Sequence, residues 1–352
     1  MSSSTFLYRW LLTAKARQRL KGFTLIELLV SLVIASIVVS SLLYLVVELA
    51  QMDKREATLD QVQRDMKRAM EYITDDLQEA AYVYPNPQRI AAELSLDPAF
   101  PGGAGEVPVL AFWRIDPIES GLPANCATIP NPTVIRVGQC QALRIRQASY
   151  TLVVYAQRTD PANNRNRNWP GQSRIIRYEL SQYRNALTLD ERPGYRDPTN
   201  PTDLQAPFEV WRPNGRPEGF AAVLVDYVQT PNPSVAFDRA PLSDLRGGVP
   251  TPCFGYGVDG NVPPQPLYTV VPSTATTTSN NSFFACLRNP DPDNSAITAN
   301  RANQDVYVFL RGNVQGSSGG VTFFSRASSL PILETQVMVR GVVDKNLVDD
   351  SF

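Results

Sequence analysis

Histidine is absent from all 352 residues. With it go the commonest general base, the commonest transition-metal ligand and every Ser–His or Cys–His nucleophile arrangement. Cysteine is scarce. Cys126, Cys140, Cys253 and Cys286 are the four, and none forms a Cys-x-x-Cys, which disfavours a zinc ribbon or a thioredoxin-like redox motif. Neither sign of charge predominates, with 33 basic against 34 acidic residues, so nothing in the overall electrostatics argues for a nucleic-acid partner. Proline is missing before Pro85, which is the first of 29. The later chain should therefore be rich in loops and edge strands rather than a helical bundle.

Motifs that carry chemistry are missing too. There is no Gly-x-Ser-x-Gly, no Walker loop and no pair of carboxylates in a recognisable frame. Gly255-Tyr256-Gly257-Val258-Asp259-Gly260 matches Gly-x-Gly-x-x-Gly in form only. No strand pattern precedes it, and Pro263-Pro264 stand where a helix should begin, so a turn-rich loop is expected. Asp291-Pro292-Asp293-Asn294-Ser295 hints at a calcium loop but lacks a glycine at position six and an acid at position twelve. The expectation is a protein that is not an enzyme, with no cofactor and no metal centre.

What is present is concentrated at the start. Residues 1–22 carry Arg9, Lys15, Arg17, Arg19 and Lys21 and no acid. Basic residues ahead of an apolar span hold that end in the cytoplasm, so the bulk of the chain should lie outside. Residues 23–47 are mostly apolar; as a helix they would be about 37 Å long, enough to cross a ~30 Å hydrocarbon core with some tilt. A cleavable secretory signal is the competing reading. It fits poorly, because the apolar run is too long and no small-x-small pattern follows. One carboxylate, Glu27, sits a turn inside the span. Ionised groups in membrane segments are expensive and are usually paired and functional, although near a helix N-terminus the macrodipole eases the cost.

Gly22-Phe23-Thr24-Leu25-Ile26-Glu27-Leu28-Leu29, preceded by Lys21, resembles the processing site of type IV pilins and secretion-system pseudopilins. The resemblance implies cleavage between Gly22 and Phe23 by a prepilin peptidase and N-methylation of Phe23. It also implies that Glu27 pairs with the Phe23 ammonium of a neighbouring subunit during assembly. The partners so implied are the peptidase, other pilin or pseudopilin subunits joined through the N-terminal helix, and an inner-membrane assembly platform. The location implied is a single-pass inner-membrane protein, N-terminus cytoplasmic, with its head periplasmic or extracellular in a filament.

Apolar residues continue at Leu59, Val62, Met66, Met70, Ile73, Leu77, Ala81 and Tyr84, steps of three and four that mark one face of an amphipathic helix. Pro85 and Pro87 end it. The spacing predicts a helix of about 60 residues, roughly 90 Å long, made of a transmembrane half (23–47) and an amphipathic half (48–84). Met66 and Met70 are expected in core packing rather than in a binding groove.

Beyond a Pro/Gly link near Phe100, strand patterns predominate, at Val107–Ile115, Leu143–Arg146, Tyr150–Arg158, Arg174–Tyr183, Ala221–Gln229, Val306–Leu310, Val321–Ser325 and Leu333–Gly341. Residues 159–173 look like a hairpin loop. From about 230 to 303 the chain is dense in Pro, Asn, Ser and Thr and reads as a loop-rich insert, with a low-complexity stretch at Thr274–Asn281. If the head is exported, disulfides Cys126–Cys140 and Cys253–Cys286 are the natural reading, each contributing roughly 3–4 kcal/mol. Four buried thiols are the alternative. The fold class expected is α+β, a long N-terminal helix packed on an antiparallel β-sheet head (100–352) with long loops.

The layout resembles the larger minor subunits, the J-type pseudopilins and W-type minor pilins. The Pro- and Asn-rich insert is reminiscent of cyanobacterial pseudopilins of hormogonium polysaccharide secretion. The function implied is a minor structural subunit of an inner-membrane-assembled filament, for secretion (an exported polysaccharide included) or for motility and adhesion. A head that recognises glycan or a surface is the alternative, with Trp113, Trp169 and Trp211 as stacking faces if they are not buried.

Overall fold

A computed structural model describes residues 23–102, 105–118, 122–160, 169–200, 203–231, 253, 256, 267–272, 282–288, 304–313 and 329–339. The chain divides into two units, 1–57 and 58–352. Helix α1, Leu25–Gln78, contributes to both. Neither proline nor glycine interrupts the sequence between Phe23 and Tyr84, so nothing breaks the i→i−4 ladder.

The first unit, as described, is the helix up to Ala57, and its described side chains are exposed all round. In the second unit the helix has one buried face: Val62, Met66, Ala69, Met70, Ile73 and Leu77. Met66 and Met70 are core residues, as their spacing predicts.

The helix ends at Gln78, nearly two turns sooner than its periodicity suggests. Ala80–Val83 form strand β1, buried throughout, although Ala81 and Tyr84 continue the helical spacing. Pairing with β2 (Glu106–Pro117), in which Tyr82 faces Trp113 and Val83 faces Phe112, outweighs the local pattern. A short helix α2 (Pro87–Glu93) follows β1, with proline in its first turn. The strands β3 (Ala148–Thr159), β4 (Ser173–Leu180) and β7 (Phe220–Val225) complete a five-stranded antiparallel sheet in the order β1-β2-β3-β4-β7. Between β4 and β7 lies a two-stranded ribbon, β5 (Tyr183–Asn185) with β6 (Asp190–Glu191).

Both faces of the large sheet are covered, and strand alternation decides which residue serves which face. Leu110, Phe112, Val153, Tyr155 and Ile175 face the helix core. Their neighbours Ala111, Trp113, Leu152, Val154, Tyr178 and Leu180 pack with Ile90, Phe208 and Trp211.

A four-stranded antiparallel sheet lies in the order β11-β10-β9-β8, from β8 (Tyr268–Val271), β9 (Phe283–Arg288), β10 (Asp305–Asn313) and β11 (Ser329–Met338). Val271, Phe283, Ala285, Leu287, Val306, Val308 and Leu310 join the same core as the helix. Within the stretch read as a loop-rich insert, at about 230–303, lie the two short strands β8 and β9. Tyr-Thr-Val-Val and Phe-Phe-Ala-Cys-Leu are good strand sequences, hidden by the Pro, Asn and Ser around them. Buried amides tie the two sheets together. Gln304 exchanges two hydrogen bonds with the Val83 backbone, at 2.9 and 3.0 Å. Gln157 Nε2 stands 2.8 Å from Ser173 Oγ and 2.9 Å from Ser282 Oγ.

A second correction concerns Leu143–Arg146, expected as a strand. It is the last turn of helix α3, Val134–Arg146. The Thr133 hydroxyl accepts the Arg136 N–H at 3.2 Å as the N-cap, and Gln147 closes the helix in the left-handed region at φ 51°. Val137, Cys140 and Leu143 recur at helical spacing toward a small apolar cluster that also holds Cys126 and Leu189. The proposed strand Val321–Ser325 lies outside the described residues.

Candidate functional site

The N-terminal segment is built by ordinary helix capping. The Thr24 hydroxyl accepts the Glu27 N–H at 3.3 Å, and the Thr24 carbonyl accepts the Leu28 N–H at 3.2 Å. Thr-x-x-Glu is the capping-box spacing. It places the carboxylate in the first turn, at the positive end of the helix. That carboxylate forms no hydrogen bond or ion pair among the described residues. Phe23 is 78 % exposed, and large apolar side chains stay exposed from there to Met52. A continuous apolar surface of this extent is not stable against water and marks a membrane or protein contact. The helix is long and apolar enough to cross a membrane. Gly22 and the residues before it, read from the sequence as a leader, lie outside the described residues.

A buried charge cluster that the sequence did not disclose holds the second part of the helix. Asp76, 5 % exposed, points into the large sheet rather than to solvent. It pairs with Arg114 of β2, accepts from Arg177 Nε of β4 at 2.8 Å, and accepts from the Tyr155 hydroxyl of β3 at 2.6 Å. One helical carboxylate thus ties three adjacent strands. Arg114 also donates to Asp116 at 2.5 Å, and Arg177 to Glu179 at 2.6 Å. Burial works against both guanidinium charges, but the hydrogen bonds and attraction from these carboxylates prevail and raise both pKa values. Burial, with the Asp76 charge adding to it, pushes the Tyr155 phenol well above its usual value. The signal available in the sequence was small: Asp76 stands three residues after Ile73, on the edge of the buried face.

The cysteines form two disulfides, Cys126–Cys140 and Cys253–Cys286, with sequence separations of 14 and 33. The first ties the Cys126–Thr128 turn to α3; the second ties Cys253 to the middle of β9.

The three tryptophans proposed as stacking faces separate. Trp113 and Trp211 are fully buried, with their indole N–H groups donating to Tyr84 Oη at 2.8 Å and to the Arg196 carbonyl at 2.9 Å. They are core residues, and the expectation that they could stack on a ligand is withdrawn. Trp169 is half-buried. The glycine-rich stretch is outside the described residues apart from Tyr256, and Asp291–Ser295 and Thr274–Asn281 are wholly outside them. No group of three or more acidic or cysteine side chains suited to a metal occurs among the described residues.

Residues 17–43 match the family model of the prokaryotic N-terminal methylation motif, so the chain carries the N-terminal signature of type IV pilins and pseudopilins. With the apolar helix that follows and the β-sheets beyond it, the motif supports a pilin- or pseudopilin-like subunit, a structural class rather than an enzymatic one. No curated protein and no solved structure matches the chain.

Proposed function

We propose that this protein is a minor subunit of a pilin-type filament assembled from the inner membrane, serving secretion or motility and adhesion. The observation that carries the reading is the methylation motif at 17–43 set directly on a helix whose apolar side chains are exposed through Met52. A prepilin peptidase removes residues 1–22 and methylates the new Phe23 amine. The subunit then waits in the bilayer on residues 23–47, its head on the outer side.

Glu27 supplies the assembly step. Its carboxylate has no partner within the described chain, and the Phe23 ammonium of a neighbouring subunit neutralises it where neither charge can be solvated. A head with two sheets, two disulfides and long connections suits a low-abundance subunit better than a repeating shaft. The test is the intact mass of the mature protein together with a Gly22→Val variant. The expected mass begins at a methylated Phe23, and the variant retains its leader. A mature chain beginning at Met1, or cut elsewhere, defeats the proposal.

A further inference from the structure

A groove of about 440 Å³ runs within the second unit between the helix face and the edge strand β7. That volume lies in the range of small-ligand sites. Its floor is apolar, with Val62, Ala69 and Val225. Tyr72, Trp169 and Tyr227 also line it, with Asp65 and Arg68 on the helix side.

Trp169 sets this groove apart from the rest of the head. The other two described tryptophans are sealed in the core with bonded N–H groups, whereas Trp169 is only partly buried and its N–H has no partner among the described residues. The strand end holds it there. Asp226 Oδ2 accepts the Gly171 N–H at 2.8 Å, fixing the Trp169-Pro170-Gly171 stretch beside β7. Only glycine allows that approach, because a Cβ on residue 171 would stand 2.3 Å from Asp226 Oδ1 and 2.6 Å from the Tyr227 nitrogen. Asp226 and Gly171 are thus positioning residues for the indole.

The chemistry of the rim selects the ligand. A cation would find the aromatic rings and Asp65 favourable but would meet Arg68; an anion would meet Asp65 and Asp226. An uncharged molecule with an apolar face and hydroxyls that both donate and accept satisfies the ring, the carboxylate and the guanidinium together. We propose that this groove binds a neutral saccharide, one sugar face stacked on Trp169, its hydroxyls donating to Asp65 and accepting from Arg68 and the indole N–H. The proposal does not depend on filament assembly, since every residue in it lies between Val62 and Tyr227.

The test uses the full-length protein in a zwitterionic detergent free of sugar head groups. The probes are neutral hexasaccharides of glucose, mannose, galactose and xylose, followed by saturation-transfer NMR and titration calorimetry. At least one should bind saturably, and Trp169→Ala should weaken it by about tenfold or more through loss of the stacking face. Arg68→Gln, on the exposed helix rim, should weaken it severalfold, and it keeps the test decisive if the tryptophan variant fails to fold. Glu27→Ala should leave binding unchanged, which separates this site from the assembly reading. Absence of transfer to all four probes overturns the proposal. So does equal affinity in a folded Trp169→Ala, or binding of hexalysine in place of the saccharides.

Discussion

Two parts of one helix obey opposite rules. In residues 25–57 apolar side chains point in every direction and stay exposed, and one turn carries a carboxylate with no partner among the described residues. In residues 58–78 the apolar side chains keep to one face and are buried, and the carboxylate that matters, Asp76, has three partners from three strands. The helical backbone is the same in both. What differs is the solvent each part is made for: a lipid or helix bundle that accepts apolar surface all round, or a sheet that covers one stripe. An acid is likewise read by its surroundings. Glu27 has no partner among the described residues, which is what the proposed assembly step uses, whereas Asp76 has its charges within the head.

The strongest way to break the comparison is Glu27→Ala. We expect normal processing and a normally folded head, with the subunit gone from sheared filament fractions by immunoblot; retention in filaments would remove the distinction between the two acids. Next comes Asp76→Ala, which leaves two guanidiniums without their central carboxylate. It should destabilise the head by about 3–5 kcal/mol in denaturant unfolding while membrane insertion is unaffected.

A matched pair of leucines sharpens the contrast. Leu77→Ala, at a fully buried position, should cost about 2–5 kcal/mol. Leu32→Ala, 64 % exposed, should leave head stability within about 0.5 kcal/mol. Equal effects would mean that the exposed half also packs on the head. Opening the Cys126–Cys140 bridge by a double alanine substitution should lower head stability by about 3 kcal/mol in the loop-closure account.

The smallest effect expected is electrostatic. Burial works against the charge of Asp160, but hydrogen bonds and attraction from Arg174 and Arg158 outweigh it and hold its pKa below the ordinary value. Because the folded pKa is the lower one, its stabilisation is complete above the unfolded value of about 3.9 and is lost as pH falls through the folded value. Thermal unfolding midpoints below about pH 4 should therefore fall more steeply in the parent protein than in Asp160→Asn. Parallel curves would assign that buried cluster no net role.

Much of the head was legible where a strand's own residues carry the alternation. Val107–Ile115, Tyr150–Arg158 and Val306–Leu310 all lie within observed strands. Misreadings occurred where a partner decided the matter. Ala80–Val83 fits a helix until β2 pairs with it, and Leu143–Arg146 looks extended until Thr133 caps the helix that contains it. Of the three tryptophans, only placement separated two core residues from one lining a groove. Composition is the same for a buried and an exposed indole.

By itself the sequence determined the features that depend on the order of neighbouring residues: the basic residues before Gly22, the methylation motif at 17–43, the capped start at Thr24, the apolar span and the position of Glu27. Those are local, because capping, helical periodicity and transfer of side chains into lipid act over one or a few turns. The tertiary structure alone decided that Asp76 would be buried between Arg114 and Arg177, that β8 and β9 would belong to the helix core, and that Trp169 would be left only partly buried at a groove. Each joins residues far apart in the chain, and long-range packing has no signature in the spacing of any one segment.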